Sequence, residues 1–496
     1  MCVPGKSRSW LRLFRRLALF ATLSILLAFV SFLALRIWES ERGPPLEAWH
    51  LFVPTEMTAA EIDHADWAAY LTAEQRVFDE VRTNVVDKMP ADQEVPANRY
   101  FSASAVNPAR FADDWNRSHL LLPAGSPKGA VVLLHGLTDS PYSMRHLAGI
   151  YVSHGYVAII PRLPAHGTVP AALTAVHWED WMAATRLAVR EARRLSGPGR
   201  PLHIVGFSNG GALALKYALD ANEDRALARP DRLILLSPMI GITSFARYAG
   251  LAGLPAILPA FAKAAWLSIL PEFIPFKYNS FPVNGARQSY EVTQVLQAEL
   301  IRQANADELR RLAPILTFQS VVDSTVSTAA VIRNLYALLP PGSNELVLFD
   351  LNRSMQKSLF LNADANVALD RLLPSPPRNF RTSIITNASP TDAELVERRI
   401  EADSVEETIR RLDLAYPQNV FSLSHVALPF PVDDPLYGST PANPDEFGIN
   451  LGSIMPRGER GVFVVSLDAL FRITSNPLFP YVRDRIDAEL AQPSNR

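Results

Sequence analysis

The chain of 496 residues has room for one large domain with insertions or two of ordinary size, and its 48% hydrophobic content can build a substantial core. Lys plus Arg number 48 against 50 Asp plus Glu, which excludes the broad basic field expected of a nucleic-acid partner. The single cysteine, Cys2, excludes an intramolecular disulfide and a cysteine-based zinc site, and leaves the redox compartment open.

Lys6, Arg8, Arg12, Arg15 and Arg16 precede an uncharged, largely apolar stretch over 17–35. That stretch is long enough to cross the hydrocarbon of a bilayer as a helix. With Glu39, Glu41 and Glu47 downstream, the positive-inside rule predicts residues 1–16 in the cytoplasm and the bulk of the chain on the other side. The run exceeds the apolar core of a signal peptide and ends in Leu-Arg-Ile-Trp rather than a small-x-small cleavage site. An uncleaved anchor is therefore expected over a removed leader.

Gly43-Pro44-Pro45 stops this helix. Residues 36–115 read as a linker and helical extension: apolar residues recur at helical spacing through 58–71 and 74–82, and Thr58 with Glu61 forms a capping-box pattern. Asp63 and His64 within it read as surface polar residues rather than metal ligands.

Over 116–496 the pattern alternates. Strands are expected at 118–123, 130–136, 156–161, 231–237, 315–322 and 345–350, with helices near 144–154, 178–195 and 327–339. Repeated strand–helix units mean a parallel sheet covered by helices on both faces. His177 beside Glu179 and Asp180 reads as packing at a helix start, because no second ligand pair accompanies it. Residues 240–305 break the alternation, with Pro255, Pro259, Pro271, Pro275 and Pro282 interrupting Ala- and Leu-rich runs, and read as a lid. An insertion over 352–420 carries a strand candidate at 381–385 and an expected charged helix from 391 to 412; a last helix ends near Leu490. The sequence has no Walker loop, dinucleotide glycine fingerprint or internal repeat.

The most informative stretch is an apolar strand running into Gly206-Phe207-Ser208-Asn209-Gly210 and then an Ala- and Leu-rich helix. Such a turn is so tight that its middle residue is strained and glycines are wanted two positions to either side, the pattern of a nucleophile elbow. Ser208 would stand at the helix N-terminus, where the Asn209 N–H and the helix dipole face charge developing on an attacked carbonyl oxygen. A serine hydroxyl needs a positioned base, and an imidazole needs an acid to hold its tautomer. In elbow-type sheets the order along the chain is serine, acid, histidine. Of the ten histidines only His425 follows Ser208, so it is the expected base. Asp323 and Asp350, each at the C-terminal end of a strand, both qualify as the acid. Asp323 is preferred because the acid normally follows the strand before the one leading to the histidine. The second oxyanion donor is expected to be the Leu137 N–H, after His135-Gly136, with His135 itself structural.

These segments resemble the α/β-hydrolase superfamily, in its branch of monoacylglycerol lipases, carboxylesterases and serine aminopeptidase-like hydrolases. The resemblance is carried by Leu134-His-Gly-Leu-Thr138, Arg162-Leu-Pro-Ala-His-Gly167, Trp178-Glu-Asp-Trp181, Gly206-Phe-Ser-Asn-Gly-Gly211, Val322-Asp-Ser-Thr325 and Ser424-His425. It implies an α/β-hydrolase fold over 116–496, to which the helical lid and the N-terminal transmembrane helix read from the residues above are additions. It also implies an acyl-ester hydrolase working through an acyl-enzyme, with Ser208, Asp323 and His425 in the matching positions, no cofactor and no metal. The expected partners are a small-molecule or lipid acyl ester and the membrane. A peptidase or amidase with the same triad, and a non-catalytic membrane-anchored scaffold, are the competing readings. Three departures stand out: 102 positions separate Asp323 from His425, Ala165 stands where the branch often has glycine, and the N-terminal anchor lies outside the common fold.

Overall fold

The protein is described by a computed structural model over residues 6–241, 253–323, 325–352, 372–390, 392–420, 422–454 and 474–491. Parts of three expected features fall outside these residues: 1–5 of the basic terminus, 242–252 of the expected lid, and 353–371 of the expected insertion.

Helix α1 (Lys6–Glu41) contains one stretch, Leu13–Glu41, long and apolar enough to cross a membrane. It outruns the expected 17–35 because nothing before Gly43 breaks a helix; Gly43 N–H then closes on Ser40 O at 3.1 Å. The extension follows as α2 (Ala48–Leu51), α3 (Ala59–His64) and α4 (Trp67–Val81). Thr58 and Glu61 make the expected reciprocal cap on α3, and Asp66 caps α4 by accepting the Ala69 N–H at 2.8 Å. Ile62, Trp67 and Tyr70 are buried on the main domain, whereas Asp63 faces outward and pairs with Arg186 at 2.7 Å.

Among the described residues the main sheet has ten strands in the order β1-β3-β2-β4-β5-β8-β9-β10-β11-β12. Its first five are β1 (His119–Leu121), β2 (Gly129–Leu134), β3 (Tyr156–Ile160), β4 (Leu202–Phe207) and β5 (Arg232–Leu236). A separate two-stranded ribbon, β6 (Trp266–Ser268) and β7 (Phe281–Pro282), precedes β8 (Ile315–Ser320), β9 (Glu345–Asp350) and β10 (Arg381–Asn387). From β3 to β10 in the sheet order every neighbour is parallel, and every residue of β2, β3, β4, β5 and β8 is buried. Near-continuous apolar runs such as those of β2 and β3 belong to strands covered on both faces. The covering helices are α5 (Arg145–Ser153), α6 (Trp178–Ser196), α7 (Asn209–Glu223), α8 (Val283–Asn305), α9 (Thr328–Asn334) and α10 (Phe479–Ala491). His177 lies just before α6, and its N–H donates to Asp180 at 3.0 Å.

The expected helix over 391–412 is not formed. In its place stand β11 (Glu394–Ile400) and β12 (Glu407–Ala415), an antiparallel hairpin that finishes the sheet, with residue 391 outside the described set. The charges that resemble a solvated helix face are cross-strand partners: Glu397 sits opposite Arg410 and accepts from it at 2.7 Å, and Arg398 pairs with Glu407 at 3.0 Å. Leu395 and Glu397 point inward two residues apart, and Asp403 takes the turn at φ 58°.

Candidate active site

Ser208, between β4 and α7, has φ 55° and ψ −116°, a conformation that costs a non-glycine residue about 1–3 kcal/mol. The surrounding backbone imposes it. Ser208 N–H donates to Leu236 O on the neighbouring strand, and Ser208 O accepts from Gly211 and Met239, all at 3.0 Å. The two flanking glycines are required by space: a Cβ on Gly206 would stand 2.4 Å from Gly210 O, and one on Gly210 would stand 2.1 Å from Leu134 O. The loop after β2 passes directly over this turn, since a Cβ on Gly136 would touch Ser208 Cβ at 3.4 Å. Among the described residues the N–H groups of Leu137 and Asn209 have no acceptor, so both are free to donate.

His425 opens a short helical turn, and its Nδ1 lies 2.9 Å from Asp323 Oδ2. Both side chains are buried. Asp323 also accepts from the Thr325 and Val326 N–H groups at 2.8 and 2.9 Å and from Gln319 Nε2 at 3.1 Å. Burial alone would raise this carboxyl, but the imidazole and the two backbone donors outweigh it and hold it below its ordinary value. Asp350, the other acid considered, pairs through its backbone with Thr386 of β10, whereas the ion pair of His425 is made to Asp323. The imidazole packs against Phe207, the residue before Ser208, with ring centroids 5.2 Å apart. No hydrogen bond joins it to the Ser208 hydroxyl among the described residues. Such contacts are often long before substrate arrives.

His135 is held elsewhere. Its Nε2 accepts the Leu163 N–H at 3.1 Å while Nδ1 donates to Gly136 O at 2.9 Å, and burial keeps the ring well below its ordinary value, hence neutral. Ala165 takes φ 69°, which explains why glycine suits this position.

The site also contains groups that residue patterns do not single out. A cavity of about 180 Å³ opens beside the elbow, lined by Phe207 and Val426 from the site and by Phe273 and Ile274 from the segment between β6 and β7. Asp139 and Lys277 stand in the same wall. Burial pushes the Asp139 carboxyl up to about 6 despite the opposing charge of Lys277. Asp139 lies only two residues beyond Leu137, but nothing local marks it as buried; the wall around it comes from Phe207 and from chain more than 130 residues away.

The chain belongs to the alpha/beta hydrolase family, whose profile matches residues 131–398. Ser208 and Asp323 fall within that match, and His425 lies beyond it. The chain is 25% identical to a thermostable monoacylglycerol lipase of Bacillus sp. (strain H-257) over 239 residues, 48% of this chain and 82% of that protein. It is 28% identical to a magnesium-chelatase 30 kDa subunit of Rhodobacter capsulatus over 172 residues, 33% of this chain and 55% of that protein. A solved structure from work on the metagenome-derived lipolytic enzymes LipS and LipT shares 23% identity at a TM-score of 0.38, covering 48% of this chain and 88% of that one.

Proposed function

We propose that the protein is a membrane-anchored serine hydrolase of carboxylic esters. The observation that carries this reading is the buried Asp323–His425 pair, 2.9 Å apart, packed beside a serine held in a strained turn. In the proposed cycle Asp323 fixes the Nδ1–H tautomer of His425 and leaves Nε2 as base. Nε2 takes the Ser208 proton as Oγ bonds to the ester carbonyl carbon, and the oxyanion accepts from the N–H groups of Leu137 and Asn209. His425 then returns the proton to the departing alkoxide, giving an alcohol and an acyl-Ser208. Water, deprotonated by the same nitrogen, attacks the acyl carbon and releases the carboxylic acid and free serine.

The apolar lining of the cavity favours medium or long acyl chains, and the similarity to a monoacylglycerol lipase points the same way. Anchoring through α1, with the basic residues 6–16 in the cytoplasm and the hydrolase domain outside, is supported by the exposed apolar length of Leu13–Glu41 and the charges before it. We read 240–305 as the lid over this site. The direct test is labelling by a fluorophosphonate alongside nitrophenyl acyl esters of graded length and aminoacyl amides. Labelling and ester turnover lost together in Ser208→Ala support the proposal. Label retained in Ser208→Ala excludes Ser208 as nucleophile; turnover of amides but not esters makes the protein an amidase; absence of both makes it a scaffold.

A further inference from the structure

Where α1 leaves its apolar span it turns one face to the protein. Leu33, Arg36, Ile37 and Ser40, spaced as one helical stripe, are partly or fully covered, while Leu35 and Trp38 between them are exposed. The cover is residues 254–270. The Arg36 guanidinium donates to Trp266 O, and Lys263 Nζ donates back to Gly43 O at 3.1 Å, just past the helix end. Residues 254–270 carry a single charge, Lys263, yet this stretch is not wholly packed away: Leu258 is 58% exposed and Leu270 39%. An apolar strip therefore lies outside the fold at the level where the membrane-crossing stretch ends.

The strip is joined to the site by a short hydrogen-bonded route. Past it, Ser280 Oγ bonds His50 Nε2 and Leu270 O, each at 3.0 Å. The buried Glu272 carboxylate accepts the N–H groups of Asn279 and Ser280 at 3.0 and 2.8 Å. The loop so braced carries Phe273, Ile274 and Lys277 into the cavity wall, and the Tyr278 N–H donates to Thr138 O at 2.8 Å, one residue from Leu137.

We propose that residues 254–270 are a second membrane-contacting element, lying in the headgroup region beside the emerging α1 and holding the mouth of the cavity against the lipid surface. This rests on the membrane-anchored reading above. The occupant of the apolar strip is the bilayer because the helix that covers one side of it is the one that enters the bilayer. An Arg on the emerging helix and a Lys whose head reaches past the helix end suit the water–lipid boundary. An acyl ester dissolved in that leaflet would then reach Ser208 without crossing bulk water.

The test uses the full chain in phosphatidylcholine vesicles, with Cys2→Ser to clear the only thiol and a polarity-sensitive nitrobenzoxadiazole label on Leu258→Cys or, as control, on Arg225→Cys beyond the end of α7. We expect a blue-shifted Leu258 label quenched by brominated lipid several-fold more than the control. Equal quenching at both sites, or a blue shift without lipid quenching as a protein–protein contact would give, overturns the proposal. Carbonate extraction separates the two readings. A chain that stays in the membrane with a water-exposed 258 label refutes only this element, and a chain that washes off refutes the anchor as well. Leu258→Asp provides a second readout: turnover of a vesicle-embedded monoacyl ester falls several-fold with a soluble short-chain ester unaffected. Equal effects on both substrates refute the proposal.

Discussion

At the scale of single residues, two carboxylates near the elbow behave in opposite ways for reasons of environment. Asp323 is buried but faces an imidazole and two backbone donors, so its charge is stabilised. Replacing it by Asn is expected to lower kcat by about 10⁴-fold, with Asp350→Asn within about twofold of the parent; steady-state kinetics on a nitrophenyl ester checks both, and the reverse ranking would reassign the acid. Asp139 is buried with far less compensation, and its carboxyl is pushed up to about 6 from an ordinary 3.8. Between those values the folded chain holds a proton that the unfolded chain has lost, so stability falls as pH rises through the window and stays reduced above it. The whole effect is about 3 kcal/mol at most. Asp139→Asn is therefore expected to raise Tm more at about pH 8 than at about pH 4. Thermal melts showing the same gain at both values would mean that Asp139 stays ionised in the fold.

At the scale of elements, legibility follows the range of the forces involved. The Gly206-to-Gly210 turn is readable because Gly206 answers contacts inside one strand–turn–helix unit, with Gly210 and Gly211, although Gly210 answers the Leu134 and His135 backbone across the neighbouring strand. The hairpin β11–β12 is not, because its inward Glu397 is buried by partners distant in the chain: Tyr481 of α10 donates to it at 2.8 Å, and Arg410 reaches it across the turn. A buried acid mimics a polar position, so the two-residue alternation hides under charges at helical spacing. The same blindness applies to Arg162, visible only as part of a motif, which docks the extension on the sheet. Its guanidinium is buried, bonds both Glu56 oxygens at 2.7 and 2.8 Å, and meets Glu74 of α4 at 3.3 Å. Removing one partner of such a cluster leaves buried charge uncompensated, so Arg162→Ala is expected to cost about 3–5 kcal/mol. Chemical denaturation checks this, and a loss under about 1 kcal/mol would mean that the extension is only loosely attached.

For the whole molecule, the helical extension before β1 shares its core with the hydrolase fold. Within the linker and helical extension over 36–115, Trp49 stacks on Tyr100 at 5.2 Å and shares a core with Val169 and Trp266, while Glu56 also accepts the Ala165 N–H at 3.0 Å. Ala165 is the residue held at φ 69° in the turn that follows β3, so part of the support for that strain comes from before the sheet begins. A chain starting at residue 43 loses α1 but keeps Trp49, His50 and Glu56. It is expected to melt near the parent and to turn over a soluble short-chain ester at the parent rate. A chain starting at residue 58 loses all three, exposes the Trp266 side of that core, and leaves the Arg162 guanidinium with Glu74 and the His166 carbonyl. It is expected to melt well below the chain that starts at residue 43 and to lose ester turnover through the loosened 162–168 turn. Matching melts for the two truncations would show that the hydrolase fold is complete without its N-terminal extension, and the catalytic domain would then begin near β1.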